Sequence, residues 1–100
     1  MSELTDDEMA FLHGAFDLAR NGDTALLAEY VDAGLPVNLT NGAGDSLLIL
    51  AAYHTHLGTV RALLDRGADT GRVNDRGQTA LAAAVFRRAR PALVSASRQS

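Results

Sequence analysis

The chain contains no cysteine, no tryptophan and no lysine. Without cysteine, disulfides and thiolate metal sites are excluded. Aromatic residues make up only 5% of the sequence. That argues against a sandwich or barrel, whose strands draw on aromatic and β-branched side chains. No stretch approaches the roughly 18 consecutive apolar residues of a membrane helix. The opening Met-Ser-Glu-Leu-Thr-Asp-Asp-Glu is acidic where a secretory signal is basic, so a cytoplasmic address is expected, with no membrane partner.

The 100 residues suffice for one domain or about three short repeats. Alanine (18) and leucine (15) dominate a hydrophobic content of 47%, which suits helices packed closely through small side chains. The net charge of -3 conceals an asymmetry. Residues 1–50 hold nine acids and one base, for -8, whereas residues 51–100 hold three acids and eight arginines, for +5. Arginine without lysine, together with abundant alanine, is the usage expected of a GC-rich genome.

Shifting the sequence by 33 residues superimposes Asn41 on Asn74, Gly44 on Gly77, Ser46 on Thr79, Leu48 on Leu81, Ala51 on Ala84 and Tyr53 on Phe86. One period upstream, Ala19 falls on Ala52, Asp32 on Asp65 and Gly34 on Gly67. Thr5 and Glu8 have capping-box spacing before a helical stripe of Met9, Leu12, Ala15, Phe16 and Ala19. Asn21-Gly22-Asp23 ends that helix, and Asp23 or Thr24 is placed to cap the next, which carries Leu26, Leu27, Tyr30 and Val31 up to Gly34. Leu35–Asp45 reads as an extended loop with a tight turn. Ser46 caps a helix over Leu47–His54, and Thr55-His56 breaks it. Val60, Leu63 and Leu64 define a further helix ending at Gly67, and a second loop leads to Thr79 and a helix through Leu81, Ala84 and Val85.

Ser46-Leu47-Leu48-Ile49-Leu50-Ala51-Ala52 resembles the Thr-Pro-Leu-His-x-Ala-Ala signature of ankyrin repeats. Val60 to Asp69 resembles that family's second helix and its Gly-Ala-Asp exit, and Asn74 to Leu81 its hairpin and next helix start. The resemblance covers about residues 17–86. Leu47 and Ala80 stand where the family has proline, and Ile49 and Ala82 where it has histidine. The resemblance implies an all-α solenoid of stacked antiparallel helix pairs with projecting β-hairpin-like loops. About two and a half repeats are expected within a single domain over 1–90: repeat 1 over 5–37, repeat 2 over 38–70 and a partial repeat 3 over 71–90. Residues 91–100 follow as a tail or poor terminal cap, because Ala96 and Ser97 stand where Leu63 and Leu64 have no counterpart. If Leu81, Val85 and Phe86 are left uncovered, each forgoes up to about 1.5–3 kcal/mol of burial. That open end needs a cover: the tail, a second copy or another protein.

No active site emerges. His54 and His56 lie two apart and do not share a helical face. His56 takes the place of the family's structural turn histidine, and His13 stands alone. Thr5, Thr24, Ser46 and Thr79 all lie at helix starts, where capping explains them. Asn41-Gly42-Ala43-Gly44-Asp45 is glycine-rich but lacks the lysine of a phosphate-binding loop. Arg87, Arg88, Arg90 and Arg98 make the last fourteen residues basic, yet no aromatic is interleaved for base stacking, so nucleic acid is not the expected partner. Neither a catalytic residue, a metal nor a cofactor is therefore assigned, and an enzyme is not expected. A small hydrolase or metal enzyme ranks last.

The resemblance implies a concave protein-binding face made of the first helices and the hairpin tips. Carried over residue by residue, that face holds Arg20, Asn21, Thr40, Ala43, Asp45, Tyr53, His54, Asp75, Arg76, Gln78, Phe86 and Arg87. Asp75 and Arg76 are expected at an exposed tip with little structural work. The expected function is non-catalytic binding of another protein. The alternative is a homo-oligomer, either a dimer through the unfinished C-terminal end or a head-to-tail array driven by the opposite charges of the two halves.

Overall fold

The computed structural model describes residues 6–87, with side chains from Leu12 onward except that of His13. The Thr5/Glu8 capping box, the Met9 and His13 side chains, Arg88, Arg90, Arg98 and the 91–100 tail lie outside what is described. Four helices are α1 (Asp6–Asn21), α2 (Thr24–Asp32), α3 (Leu47–Tyr53) and α4 (Leu57–Asp65). A fifth, α5, is helical over 80–87. Among the described residues the only β-type pairing is the isolated antiparallel bridge between Thr40 and Ser46. The fold is all-α, built from helix pairs.

Two layers result. One is made by α1 against α3 and the other by α2 against α4, with α3 also packing on its own partner α4. The sequence accounts for this sorting. In α3, Leu47, Leu48, Ile49, Leu50, Ala51 and Ala52 are all buried, because neighbours cover the helix on several sides. In α1, Ala15, Phe16 and Ala19 make one buried stripe at helical spacing. The outer helices bury less: Leu27 from α2, and Thr59 and Leu63 from α4. Fully burying Leu27, Leu47, Ile49 and Leu63 stabilises the stack by about 1.5–3 kcal/mol each. Ala80 and Ala83 bring α5 into the same core.

The caps were legible only in part. Ser46 caps α3 through its side chain, which accepts the Ile49 N–H at 3.1 Å. Thr79 Oγ1 likewise accepts the Ala82 N–H at 3.2 Å. Neither candidate for α2 caps it as expected. Asp23 makes no side-chain cap bond, and the Thr24 hydroxyl is engaged instead with Thr59 Oγ1 at 2.6 Å, across to α4. A link between repeats has displaced a local one.

The turns inside the two helix pairs differ in an informative way. Gly22 ends α1 at φ +76°, and Thr55, 33 residues later, takes φ +60°. That left-handed conformation suits glycine and strains a β-branched residue. The same backbone is thus imposed on both repeats by the packing around them.

Candidate functional site

The hairpin loops are built by asparagine. Asn41 Oδ1 accepts the N–H groups of Ala43 and Asp45, at 3.0 and 2.9 Å, and Asn74 Oδ1 accepts those of Arg76 and Gln78, both at 2.9 Å. Gly44 at φ +76° and Gly77 at φ +75° complete the two tight turns. Stacking then locks one hairpin to the other. The Asp75 N–H donates to the Ala43 carbonyl at 3.0 Å, and Asn74 Nδ2 donates to Asp45 Oδ1 at 2.8 Å.

This arrangement revises two expectations. Asp45, expected at the surface, is only 7% exposed and acts as the acceptor that ties the hairpins together. Arg76, expected to have little structural work, reaches back so that its guanidinium lies 3.8 Å from Asp45, although it stays largely in solvent. Gln78 is half-buried and turned into its own hairpin, with its Oε1 accepting from Asn74 Nδ2 at 3.3 Å. Thr40, Ala43 and Asp75 are exposed on the hairpins, and Asn21 is exposed at the end of α1.

A second group gathers at the C-terminal ends of α1 and α3 and at residue 87 of α5. The Arg87 guanidinium lies 5.2 Å from the centre of the Tyr53 ring, a cation–π contact. Tyr53 meets the His54 ring edge-on with centroids 5.0 Å apart. The His54 and His56 rings are roughly parallel at 6.3 Å. The Nε2–H of His56 donates to the Arg20 carbonyl at 2.7 Å, so this ring fastens the turn to α1. Arg20 itself pairs with Asp17 at 2.8 Å. Asp17 was not among the expected residues, although its i,i+3 spacing from Arg20 on one helix is a signal for such a pair. Burial first, then the positive charges of Arg87, His56 and Arg20, hold the His54 pKa below its ordinary value near 6.5. Tyr53, His54, Arg20 and Arg87 thus come together, and Phe86, which precedes Arg87 in the chain, is exposed but makes no ring contact with them among the described residues.

Helix α5 also exposes large apolar side chains. Leu81 is 75% exposed, Val85 57% and Phe86 45%. Leu81, with Ala84, lines a groove of about 570 Å³ against Leu57, Val60 and Leu64 of α4, with Leu48 and Ala52 beneath. No cluster of three or more histidine, aspartate or glutamate side chains suited to a metal occurs among the described residues. No helix among them is long and apolar enough to cross a membrane.

Stacked helix pairs, asparagine-built hairpins and a turn histidine bonded to the preceding repeat define a helical repeat scaffold. The family model of ankyrin repeats (3 copies) matches residues 12–95, and the chain belongs to the ankyrin repeat family. It is 51% identical over 59 residues to the Pseudomonas aeruginosa ankyrin repeat protein PA3287, a match covering 59% of this chain and 34% of that protein. It is 35% identical over 71 residues to Protein HOS4 of Saccharomyces cerevisiae, covering 70% of this chain and 7% of that protein. The chain therefore spans about a third of the length of the first relative and far less of the second.

Proposed function

We propose that this chain is a non-catalytic protein-binding module whose partner lies across the concave face, against the ends of α1, α3 and α5 and the two hairpin tips. Ankyrin repeats are as a class protein-interaction modules, and membership of that family supports the coarse statement. The observation that carries the finer one is the Tyr53–His54–Arg87 cluster. A half-buried aromatic ring that also packs on the core, a half-buried imidazole and an exposed guanidinium come together there. Tyrosine and arginine are the residue types that anchor interfaces. Asn21, Thr40, Ala43, Asp75 and Arg76 extend the surface along the hairpins, and Asp45 supports it from below.

The test is a comparison of partner capture from the source organism's lysate by the native chain and by a Tyr53→Ala/Arg76→Ala variant of verified fold. A protein retained by the first and lost by the second supports the reading. Retention of the same protein by both refutes the concave assignment.

Self-association is the second reading, and the exposed Leu81, Val85 and Phe86 beside the apolar groove favour it. A Leu81→Glu/Val85→Glu variant separates it from the first. Sedimentation of the native chain as a dimer, and of this variant as a monomer, would establish the open end as the contact. A native chain monomeric at high concentration would dismiss it.

A further inference from the structure

We propose that His54 and Arg87, in line with the ion-paired Arg20, seat two carboxylates of an acidic polyproline II segment of a partner protein, with the acidic residues three positions apart. The inference rests on the concave-face reading and adds the chemistry of the partner to it.

The row follows from the repeat. Asn21, His54 and Arg87 are separated by 33 residues each and occupy equivalent positions of the repeat on α1, after α3 and on α5, with Arg20 beside Asn21. Charge of one sign collects there. His54 is faced by Arg20 from α1, by His56 from the turn and by Arg87 from α5. The acid on this side of α1, Asp17, is already paired with Arg20. Among the described residues no carboxylate lies within ion-pair distance of His54 or Arg87. His56 spends its Nε2–H on the Arg20 carbonyl, whereas the His54 ring and the edges of the Arg87 guanidinium have no acceptor among those residues. Burial and these positive neighbours disfavour the protonated form of the His54 ring. A carboxylate arriving from outside relieves that repulsion and supplies the acceptor.

Spacing selects the shape of the guest. Packed helices lie about 8–10 Å apart, and a polyproline II chain advances about 3.1 Å per residue with three residues per turn. Such a segment crossing the helix ends brings every third side chain, on one face, to the next repeat. A polyanion such as nucleic acid fits poorly. The first half of the chain carries -8, and the Tyr53 ring is covered by Arg87 rather than open for stacking.

The probe is a capped glycine/serine decapeptide with glutamates at its fourth and seventh positions, titrated into the isotope-labelled full chain and followed by NMR. A peptide with glutamine at those positions is the control. The glutamate peptide should move the Tyr53, His54 and Arg87 signals, with a dissociation constant on the order of millimolar for so short a contact. Binding should raise the His54 pKa, weaken severalfold between pH 6 and 8, and fall roughly five- to tenfold in Arg87→Gln. An Arg61→Gln variant, altered at an exposed site on the outer helix, should bind as the native chain does. Equal binding of the glutamine peptide, unchanged affinity in Arg87→Gln, or no shifts up to 10 mM (roughly the limit of a useful contact) would overturn the proposal. So would tighter competition by a short oligonucleotide at the same residues, which would assign the row to phosphate. If capture of a lysate partner is lost in Tyr53→Ala/Arg76→Ala yet survives intact in Arg87→Gln and His54→Gln, the concave-face reading stands and this inference alone falls.

Discussion

The His56 ring donates its Nε2–H to the carbonyl of Arg20, 36 residues earlier, while its Nδ1 edge lies directly beneath Gly22. A Cβ placed on Gly22 would come within 2.7 Å of that Nδ1, and the backbone there has φ +76°. Two costs coincide, steric and conformational. Gly22→Ala should therefore lower stability by about 2–3 kcal/mol, of which about 1–2 kcal/mol is the left-handed backbone alone. In a His56→Ala background the steric part disappears and the same substitution should cost less. Urea unfolding of the four variants measures the difference, and equal costs in both backgrounds would mean that the ring moves aside freely.

At the equivalent turn of the next repeat the roles are reversed. Thr55 holds φ +60° where glycine would be at ease, and among the described residues its hydroxyl bonds only the neighbouring His54 carbonyl, at 2.6 Å. Relief of the strain is worth about 1–2 kcal/mol, offset by the greater freedom glycine has when unfolded, about 0.4–1 kcal/mol. Thr55→Gly should thus raise stability by about 0.5–1 kcal/mol, seen as a later urea midpoint at unchanged slope. A destabilised variant would show that Thr55 contributes packing beside the groove that outweighs its strain.

Much of this architecture was legible because a 33-residue period repeats both composition and geometry. Asn41 and Asn74, or Gly44 and Gly77, do the same work in successive hairpins, so one instance interprets the other. Ser46 and Thr79 were legible as caps for the same reason. What escaped was contact between repeats. Nothing local in the sequence tells Thr24 to bond Thr59 rather than cap its own helix, or Asp45 to turn inward to Asn74. Those choices are made by the neighbouring repeat, 29 and 35 residues away. The Arg87–Tyr53 contact was hidden likewise, although both residues were singled out for the same face.

Two asparagines with the same local role should differ in cost. Asn41 Oδ1 and Asn74 Oδ1 each accept two backbone N–H groups, yet Asn41 is half-buried while Asn74 is buried and also donates to Asp45. Removing Asn74 leaves the buried Asp45 carboxylate without that donor, and an unsatisfied buried polar group costs about 1–3 kcal/mol by itself. Asn74→Ala should therefore destabilise by about 2–4 kcal/mol and Asn41→Ala by about 1–2 kcal/mol. Comparable losses in chemical denaturation would place the value of both in the local turn, with none in the link between hairpins.

The Thr24–Thr59 pair should be strongly non-additive. Thr59 is almost fully buried, and the two hydroxyls meet at 2.6 Å. Replacing one by valine strands the other, at about 1–2 kcal/mol, whereas replacing both gives an apolar contact of similar shape and nearly native stability. A double-mutant cycle reads this directly. Additive single and double losses would mean that solvent satisfies the remaining hydroxyl.

Stability should also fall in mild acid through His54. Its folded pKa is held below the ordinary value near 6.5 by burial and by Arg87, His56 and Arg20. As pH drops through 6.5 the unfolded chain takes up this proton before the folded chain does, so the folded state loses ground. The loss stops once the pH is below the folded pKa, where both states carry the proton. His54→Gln should flatten that part of the stability profile, and Arg87→Gln, which removes one of the repelling charges, should flatten it partially. Urea midpoints at pH 7.5, 6.5 and 5.5, chosen around the ordinary value of about 6.5, provide the comparison. An identical decline in native chain and His54→Gln would mean that this imidazole titrates alike in both states, leaving the row of cations without repulsion for a partner's carboxylate to relieve.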